Sequence, residues 1–310
     1  MGVYIFIIIL AFTGFEQSPS PASQVSAEFK PEIGKLAAQG LALEEALEAS
    51  LDGRARHLAV IFKRAGAARL ADAYEFRIIE SDGRTVKTIF RRSDFYFSFK
   101  AFQPALDLPA LNARDINGDG LKEVLVQSSS GGNCWSCNPA EIYRVKDQRA
   151  ELIAAGPMQK IIDLDGDGVL ELVVADARWE NYGDLSHASA PSARMIYAWR
   201  EGRYVYASRD FTAYYQEEIK RLQASLNEAK TQITAEEFSD EPYVGLAISL
   251  AVTCAHAGEI ERGLNELESL MNAPPGSAEQ KKRRRAAIAD FRNGESAAKL
   301  RLLKYGDPIL

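Results

Sequence analysis

Two short acidic segments combine residue types and spacing that could bind a metal ion. The first acidic loop has the sequence Asp115-Ile-Asn-Gly-Asp-Gly-Leu-Lys-Glu123, and the second acidic loop has Asp163-Leu-Asp-Gly-Asp-Gly-Val-Leu-Glu171. Calcium takes about six to eight oxygen ligands, which the carboxylates and backbone carbonyls of a tight turn supply. Acidic residues at alternate positions can converge on one point, and the glycines between them allow the backbone to turn. The sequence therefore predicts two calcium sites.

Each loop offers the ion four side chains and one backbone carbonyl. The predicted ligands are Asp115, Asn117, Asp119, the Leu121 carbonyl and Glu123 in the first loop, and Asp163, Asp165, Asp167, the Val169 carbonyl and Glu171 in the second. We expect tighter binding at the second loop, because the first has an amide in place of one carboxylate. Magnesium fits less well, since it retains water ligands and requires octahedral geometry. The alternative is a pair of turns that bind no ion, because Asp and Gly are favoured in turns anyway.

The residues after the loops distinguish them from an EF-hand. An EF-hand requires an acidic residue at the twelfth loop position and a helix on each side. The twelfth positions here are Val126 and Val174, and both lie in apolar runs that are typical of β-strands. Each loop is therefore predicted to lead into a strand.

The two loops occupy matching places in an internal repeat of about 50 residues, a period typical of propeller blades and other arrays. The first copy runs from Asn112 to Ala154 and the second from Lys160 to Ser208. In each copy the loop continues into an apolar strand, an irregular insert and a hairpin that contains Ile-Tyr. With a strand before the loop, each copy has about four strands, the content of one blade. The segment from His57 to Ala101 is predicted to be a degenerate third unit without a calcium loop. Its predicted strands are Leu58 to Lys63, Tyr74 to Glu80, Thr85 to Arg91 and Phe95 to Ala101.

This pattern resembles the FG-GAP or VCBS repeat of integrin-type propellers and of many exported bacterial proteins. The shared motif is Asp-x-Asn/Asp-x-Asp-Gly-x-x-Glu followed by Val/Leu-Val-Val, although the family usually has Asp where this chain has Glu123 and Glu171. The resemblance covers the two repeat copies and implies blade-like β structure with structurally bound calcium, but no reaction. Three units fall short of the roughly four to eight blades that close a ring. An open array and closure by a helical domain are therefore the alternatives.

The expected fold class is α+β, with blade-like antiparallel β repeats, as a partial propeller or an open array, followed by a helical domain. The predicted divisions are a signal peptide over 1–27, an N-terminal helical segment over 28–56, a β-repeat module over 57–210 and a helical domain over 211–310. The first helix is predicted over Lys35 to Leu51, which is rich in Ala, Leu and Glu. The helical domain follows from the helical spacing of apolar residues after Tyr214.

The N-terminus is predicted to be a secretory signal. The run from Tyr4 to Phe15 is almost wholly apolar, too short for the roughly 20 residues of a membrane span but suited to the core of a signal peptide. Val25-Ser26-Ala27 then offers small residues for cleavage. No Lys or Arg precedes the apolar run, so a buried N-terminal strand is the alternative. We expect a secreted or periplasmic protein with no membrane span in the mature chain.

Cys134 and Cys137 have the spacing of a redox dithiol. A Ser/Gly-rich stretch precedes them and a predicted strand follows, whereas redox motifs of this spacing begin a helix. This context favours a local disulfide or a stiffened loop, and an oxidising compartment permits the disulfide. A periplasmic thiol–disulfide enzyme that uses this pair is the alternative function. Zinc is less favoured, because two further ligands at suitable spacing are missing.

Few features of the sequence favour an enzyme. We find no Ser/His/Asp set, no phosphate-binding glycine loop and no acid/base carboxylate pair outside the predicted metal loops. The formal net charge of -6 argues against nucleic acid as a partner, and the basic run Lys281–Arg285 is predicted to be the solvated face of a helix. We expect a non-enzymatic binding or structural module that presents loops to a protein or glycan partner. Trp135, Trp179 and Tyr182 in the inserts would suit such contacts, but plain loop packing is the favoured interpretation of these residues.

Overall fold

The computed structural model describes residues 25–67, 72–102, 105–234, 236, 238–302 and 304–309. These ranges contain three four-stranded antiparallel sheets followed by a helical region, and none of the three sheets closes on itself. The α+β fold class is therefore confirmed, with the β repeats in an open form. The apolar run on which the predicted signal peptide rests lies outside the described residues.

Sheet 1 follows the first helix and corrects the prediction for the N-terminal part of the chain. The helix is α1 (Lys30–Ala38), and sheet 1 consists of β1 (Leu41–Ala49), β2 (Arg56–Arg64), β3 (Tyr74–Ser81) and β4 (Val86–Asp94). The helix predicted over Lys35 to Leu51, and the helical segment over 28–56, are therefore wrong beyond the end of α1. Gly40 follows that helix with a φ of 82°, which glycine adopts readily. The Leu-, Ala- and Glu-rich sequence of β1 favours a helix, but antiparallel pairing with the apolar β2 outweighs that local preference.

Sheet 1 is a complete four-stranded unit, which changes the boundaries predicted for the third unit. The three strands expected between residues 58 and 91 are present. The unit begins with β1 rather than at His57, so the β module extends further toward the N-terminus than predicted. The fourth predicted strand, Phe95 to Ala101, is shortened to Tyr96–Ser98 and pairs with the next sheet instead.

Sheets 2 and 3 contain one acidic loop each. Sheet 2 consists of β5 (Tyr96–Ser98), β6 (Glu123–Ser129), β7 (Ala140–Lys146) and β8 (Arg149–Gly156), and sheet 3 of β9 (Met158–Ile162), β10 (Glu171–Ala175), β11 (Arg194–Arg200) and β12 (Arg203–Tyr206). A short helix, α2 (Leu108–Leu111), precedes the first acidic loop. Both loops lead into the second strand of their sheet, and Glu123 and Glu171 are the first residues of those strands. The predicted passage from loop to strand is confirmed in both copies.

The three sheets stack face to face, with sheet 2 in the middle. Val124 and Val126 of β6 belong to the apolar core shared with sheet 1, whereas Leu125 belongs to the core shared with sheet 3. This alternation is expected, because successive side chains of a strand point to opposite faces. A strand that is buried on both faces has a continuous apolar sequence, which explains the Val-Leu-Val run after the first acidic loop.

Helices cover the two outer faces of the stack. At one end, α1 and the residue before it pack on sheet 1 through Leu36 and Phe29. At the other end, α3 (Thr212–Thr231) packs on sheet 3 through Tyr215. These helices therefore occupy the positions of the terminal capping units in a repeat array. The β repeats form an open array with covered ends rather than a ring.

The helical region follows sheet 3 and packs around one buried helix. It consists of α3, α4 (Glu241–His256), α5 (Ile260–Asn272), α6 (Ala278–Asn293) and α7 (Glu295–Leu302). Helix α4 is buried along nearly its whole length and packs against α3 and α5. In the basic run of α6, Arg284 is buried and donates to the Pro274 and Pro275 carbonyls, so the predicted solvated face is interrupted there. Among the helices of the described ranges, none is long and apolar enough to cross a membrane.

Candidate metal centres

The backbone of the first acidic loop folds around the carboxylate of its first residue. Gly118 N–H donates to Asp115 Oδ1 at 2.8 Å, and Gly120 N–H donates to Asp115 Oδ2 at 2.9 Å. Both glycines have a positive φ, 72° and 85°, which residues with a side chain rarely adopt. At the end of the loop, Ile116 N–H donates to Glu123 Oε2 at 3.0 Å. The turn is therefore closed by its own acidic side chains.

The second acidic loop repeats these contacts position by position. Gly166 and Gly168 donate their N–H groups to the two carboxylate oxygens of Asp163, at 2.6 and 3.0 Å. Leu164 N–H donates to Glu171 Oε2 at 2.8 Å. The two loops share the same backbone frame although they lie in different sheets and differ in several side chains.

Each frame gathers carboxylates into a small volume. One oxygen each from Asp115, Asp119 and Glu123 lie within 4.8 Å of one another, and the same holds for Asp163, Asp165 and Glu171. Burial, with the neighbouring aspartates, raises the pKa of Glu123 to about 8 and that of Glu171 to about 7. The glutamate of each loop is buried, whereas the aspartates of these groups are exposed or half-buried. Negative charges this close to a buried carboxylate are unfavourable without a cation. The donor set, carboxylate oxygens in a tight turn, fits calcium.

Three of the other predicted ligands take part in the turns in a different way. Asp167 lies outside the close group of the second loop, and its Oδ1 accepts the Val169 N–H at 2.8 Å. Leu121 likewise donates its N–H to Asp119 Oδ1 at 2.9 Å. Coordination through the Leu121 and Val169 carbonyls stays a prediction.

The first loop contains two positively polarised groups that partly replace a cation. Asn117 is buried, and its Nδ2 donates to Glu123 Oε1 at 2.9 Å. Arg144 of β7 donates from Nη1 to Asp119 Oδ2 at 2.7 Å. Sequence reasoning missed Arg144, because only the antiparallel pairing of β6 with β7 places it opposite Glu123. The one sequence signal that marks Arg144 is the residue after Ile-Tyr in the two repeat hairpins, which is Arg144 in the first and Ala198 in the second.

The second loop has no such counter-charge. Tyr143 and Tyr197 hold equivalent places, since they pair with the second residues of β6 and β10. Ala198 therefore occupies the place of Arg144 in sheet 3. Within the described ranges, none of the four carboxylates of this loop forms an ion pair with a basic side chain. In the part of the chain that the structure describes, the carboxylates of the second loop accept hydrogen bonds from backbone N–H groups alone.

A third, equivalent corner lies in sheet 1, between β1 and β2. We call Leu51–His57 the third corner. Its Leu51 N–H donates to His57 Nδ1 at 3.3 Å, as Ile116 does to Glu123. Neighbouring corners are also joined in the same way, because Lys122 N–H donates to the Leu51 carbonyl and Leu170 N–H to the Ile116 carbonyl, both at 2.8 Å. The three corners therefore form one row along an edge of the stack.

The third corner also brings together Asp52, His57 and Glu80, but it does not suit a metal ion. Their ligand atoms lie within 4.8 Å of one another. Because Nδ1 of His57 accepts a hydrogen bond, the neutral ring carries its proton on Nε2 and has no lone pair there for a metal. Nε2 lies 3.5 Å from Glu80 Oε2, and burial lowers the pKa of His57, so the ring stays neutral. An imidazole thus occupies the place that a carboxylate has in the acidic loops.

Cys134 and Cys137 form the predicted local disulfide. They lie in a short 3-10 turn of the insert between β6 and β7, not at the start of an α-helix. The carboxylate of Glu180, from the insert between β10 and β11, accepts the Trp135 N–H. The two inserts therefore contact each other. Cys254 is buried in α4, and burial raises the pKa of its thiol to about 11, so it is unreactive.

The second insert packs on the helical region instead of pointing into solvent. Trp179 is fully buried, its ring stacks on Phe291 at 5.2 Å, and its Nε1 donates to Asp176 at 2.8 Å. Tyr182 donates to Asp290 of α6 at 3.1 Å. Loop packing, the interpretation favoured from the sequence, is therefore confirmed for Trp179, which is not accessible to a partner.

No protein-family model matches the sequence, and no curated protein matches it.

Proposed function

We propose that this chain is an exported calcium-binding protein in which the ions brace a stack of FG-GAP/VCBS-like blades. The main support is the repetition of one hydrogen-bonded frame in two sheets, each with three carboxylates gathered around one point. Turns that serve only to reverse the chain do not need a buried glutamate at the same place twice. Calcium supplies the positive charge that this arrangement lacks.

The proposed role is binding or structural rather than catalytic. The acidic loops join neighbouring sheets through their backbones, so ions held there would stiffen one whole edge of the stack. The insert that contains Trp135, and the hairpin turns beside the loops, would then be presented to a protein or glycan partner. Surface loops on a rigid scaffold commonly carry binding function.

Export is supported by the disulfide between Cys134 and Cys137. Disulfides persist in secreted and periplasmic proteins and are rare in reducing compartments. A secreted or periplasmic location is also what the predicted signal peptide implies. Cell fractionation with an epitope tag at the C-terminus would test this part of the proposal.

The calcium proposal is tested by calorimetric titration of the full chain after treatment with a chelator. We expect two calcium ions per chain, little response to magnesium, and loss of the tighter site in the Asp163→Asn/Asp165→Asn variant. A matched control, Glu217→Gln/Glu261→Gln, removes the same charge from residues whose side chains are 73% and 77% exposed. This control should retain both sites. Absence of calcium binding to the folded wild type would refute the proposal.

The alternative function, thiol–disulfide exchange by Cys134 and Cys137, stays a prediction with its own test. Exchange activity with a model dithiol, abolished in the Cys134→Ser/Cys137→Ser variant, would support it. A disulfide that resists reduction in the folded protein would favour a structural role.

A further inference from the structure

A cleft lies beside the first acidic loop, at the place where the three sheets meet. Its volume is ≈ 450 Å³, within the range of about 300–1,000 Å³ that is usual for small-molecule sites. Its charged lining consists of Arg54, Arg144, Lys146, Asp52, Asp119 and Asp147. The third corner, the first acidic loop, and the hairpins of sheets 2 and 3 all contribute. The cleft is too small for a folded partner and suits a small ligand.

An aromatic side chain lies next to these charged groups. Trp199 of β11 is half-buried and lines the cleft. The guanidinium of Arg144 lies over its ring, with 5.5 Å between Cζ and the ring centroid. An indole beside a fixed cation is a surface on which a flat, partly apolar ligand with a negative group can bind.

Arg144 is the group that links this cleft to the metal loop. Its Nη1 donates to Asp119 Oδ2 at 2.7 Å, and its Nη2 donates to Glu151 Oε2 at 3.0 Å. Its Nε is buried and has no hydrogen-bond partner among the described residues. Glu151 and Trp199 therefore hold the guanidinium in place independently of Asp119.

A calcium ion in the first loop would compete with Arg144 for Asp119. Without the ion, the charged lining contains three cations and three carboxylates and is neutral. Once the charge of Asp119 is taken up by the ion, the lining has an excess positive charge, and Arg144 has an unused donor. The second loop lacks this coupling, since no arginine of the described residues pairs with its carboxylates.

We propose that this cleft binds a small acidic saccharide and that calcium in the first acidic loop strengthens this binding by releasing Arg144. The inference rests on the calcium sites of the proposed function. A carboxylate on the sugar would accept a hydrogen bond from the freed Nη1 of Arg144 and pair with Lys146, because hydrogen bonds between ionised partners are strong. Hydroxyl groups would donate to Asp52 and Asp147. The apolar face of the ring would lie against Trp199.

The test uses methyl β-glucuronide as the probe and methyl β-glucoside as its neutral match. Binding to the full chain is followed by saturation-transfer NMR and titration, with saturating calcium and with chelator. We expect the glucuronide to bind about ten-fold more tightly with calcium, inside the range of about 5–150-fold for coupled sites. The glucoside should bind weakly and without calcium dependence. By reciprocity, the glucuronide should tighten calcium binding by the same factor.

Two variants separate this inference from the calcium proposal. Arg144→Gln should abolish calcium-dependent glucuronide binding and tighten calcium at the first loop, measured in the Asp163→Asn/Asp165→Asn background. Lys146 makes no hydrogen bond or ion pair with the first acidic loop among the described residues. Lys146→Gln should therefore weaken glucuronide binding and leave calcium affinity unchanged. Equal glucuronide binding with and without calcium, in a protein that still binds two ions, would overturn this inference alone. Loss of all calcium binding would refute the proposed function instead.

Discussion

The two acidic loops have the same backbone frame but balance their charge differently. In the first, Asn117 bonds to Glu123 and Arg144 bonds to Asp119, so side chains supply part of the missing positive charge. In the second, the partners of the four carboxylates among the described residues are all backbone N–H groups. The frame depends on glycines and on an acceptor at the start of the next strand. The need for an ion depends on the side chains around that frame.

The third corner extends this comparison to a case without carboxylate crowding. There, the neutral ring of His57 accepts the Leu51 N–H, and its other nitrogen lies beside Glu80. The three corners thus differ in how much negative charge they gather. The third corner has a neutral imidazole, the first acidic loop has carboxylates with an amide and an arginine, and the second acidic loop has four carboxylates. The same fold of the backbone is closed by an imidazole at one corner and by carboxylates at the other two.

The largest expected effect is removal of calcium, and it should act mainly through the second loop. A ligand at 1,000 times its Kd stabilises the folded state by about 4 kcal/mol. We expect chelation to lower the free energy of unfolding by an amount of this order in the wild type. In Asp163→Asn/Asp165→Asn the effect of chelation should fall to a small fraction, measured by urea unfolding. A full chelation effect in this variant would show that the first loop is the dominant site.

The next largest loss of stability is expected from a substitution at the third corner, and it should not depend on calcium. His57→Leu removes the acceptor of a buried N–H, which costs about 1–3 kcal/mol. The loss should be equal in calcium and in chelator. His187→Leu, at a residue whose side chain is 44% exposed, is the control and should change stability little. A loss that appears only in calcium would mean that this corner binds an ion as well.

A smaller effect is expected when the first loop is made to resemble the second. Asn117→Asp replaces an amide donor by a carboxylate and should tighten calcium binding at this loop about ten-fold, or about 1.4 kcal/mol. Without calcium the variant should be less stable than the wild type, because Glu123 loses its donor. Calorimetry in the Asp163→Asn/Asp165→Asn background measures the affinity. Unchanged affinity would mean that position 117 does not face the ion.

The smallest effect is expected on the pH dependence of stability, at a buried carboxylate that forms ion pairs with arginines. Glu75 accepts hydrogen bonds from Arg64, Arg77 and Arg91. Burial acts to raise the pKa of Glu75, but Arg77 and Arg91 outweigh it and lower the pKa below its usual value. A lowered pKa stabilises the fold above the unfolded value of about 4.3 and loses that contribution as the pH falls through the folded value. Glu75→Gln should therefore flatten the loss of stability below pH 4, equally with and without calcium. A calcium-dependent change would connect this cluster to the acidic loops.

Local sequence determined the features whose contacts lie within about one turn. The acidic loops were predictable because Asp, Gly and Glu at fixed spacing make their hydrogen bonds inside nine-residue segments. The strands after them were predictable from apolar runs, and the local disulfide from its two cysteines. In each case the partners are close in the chain, so spacing alone constrains the geometry.

Tertiary structure decided the features whose partners are distant in the chain. The β1 segment has a helix-favouring sequence, and only pairing with β2 makes it a strand. Arg144 reaches the first loop through cross-strand pairing, and Trp179 is buried because helices pack over its insert. The open stack follows from helices that cover both outer faces, which no repeat motif encodes. Local spacing therefore predicts the acidic loops, whereas long-range packing decides their charge balance.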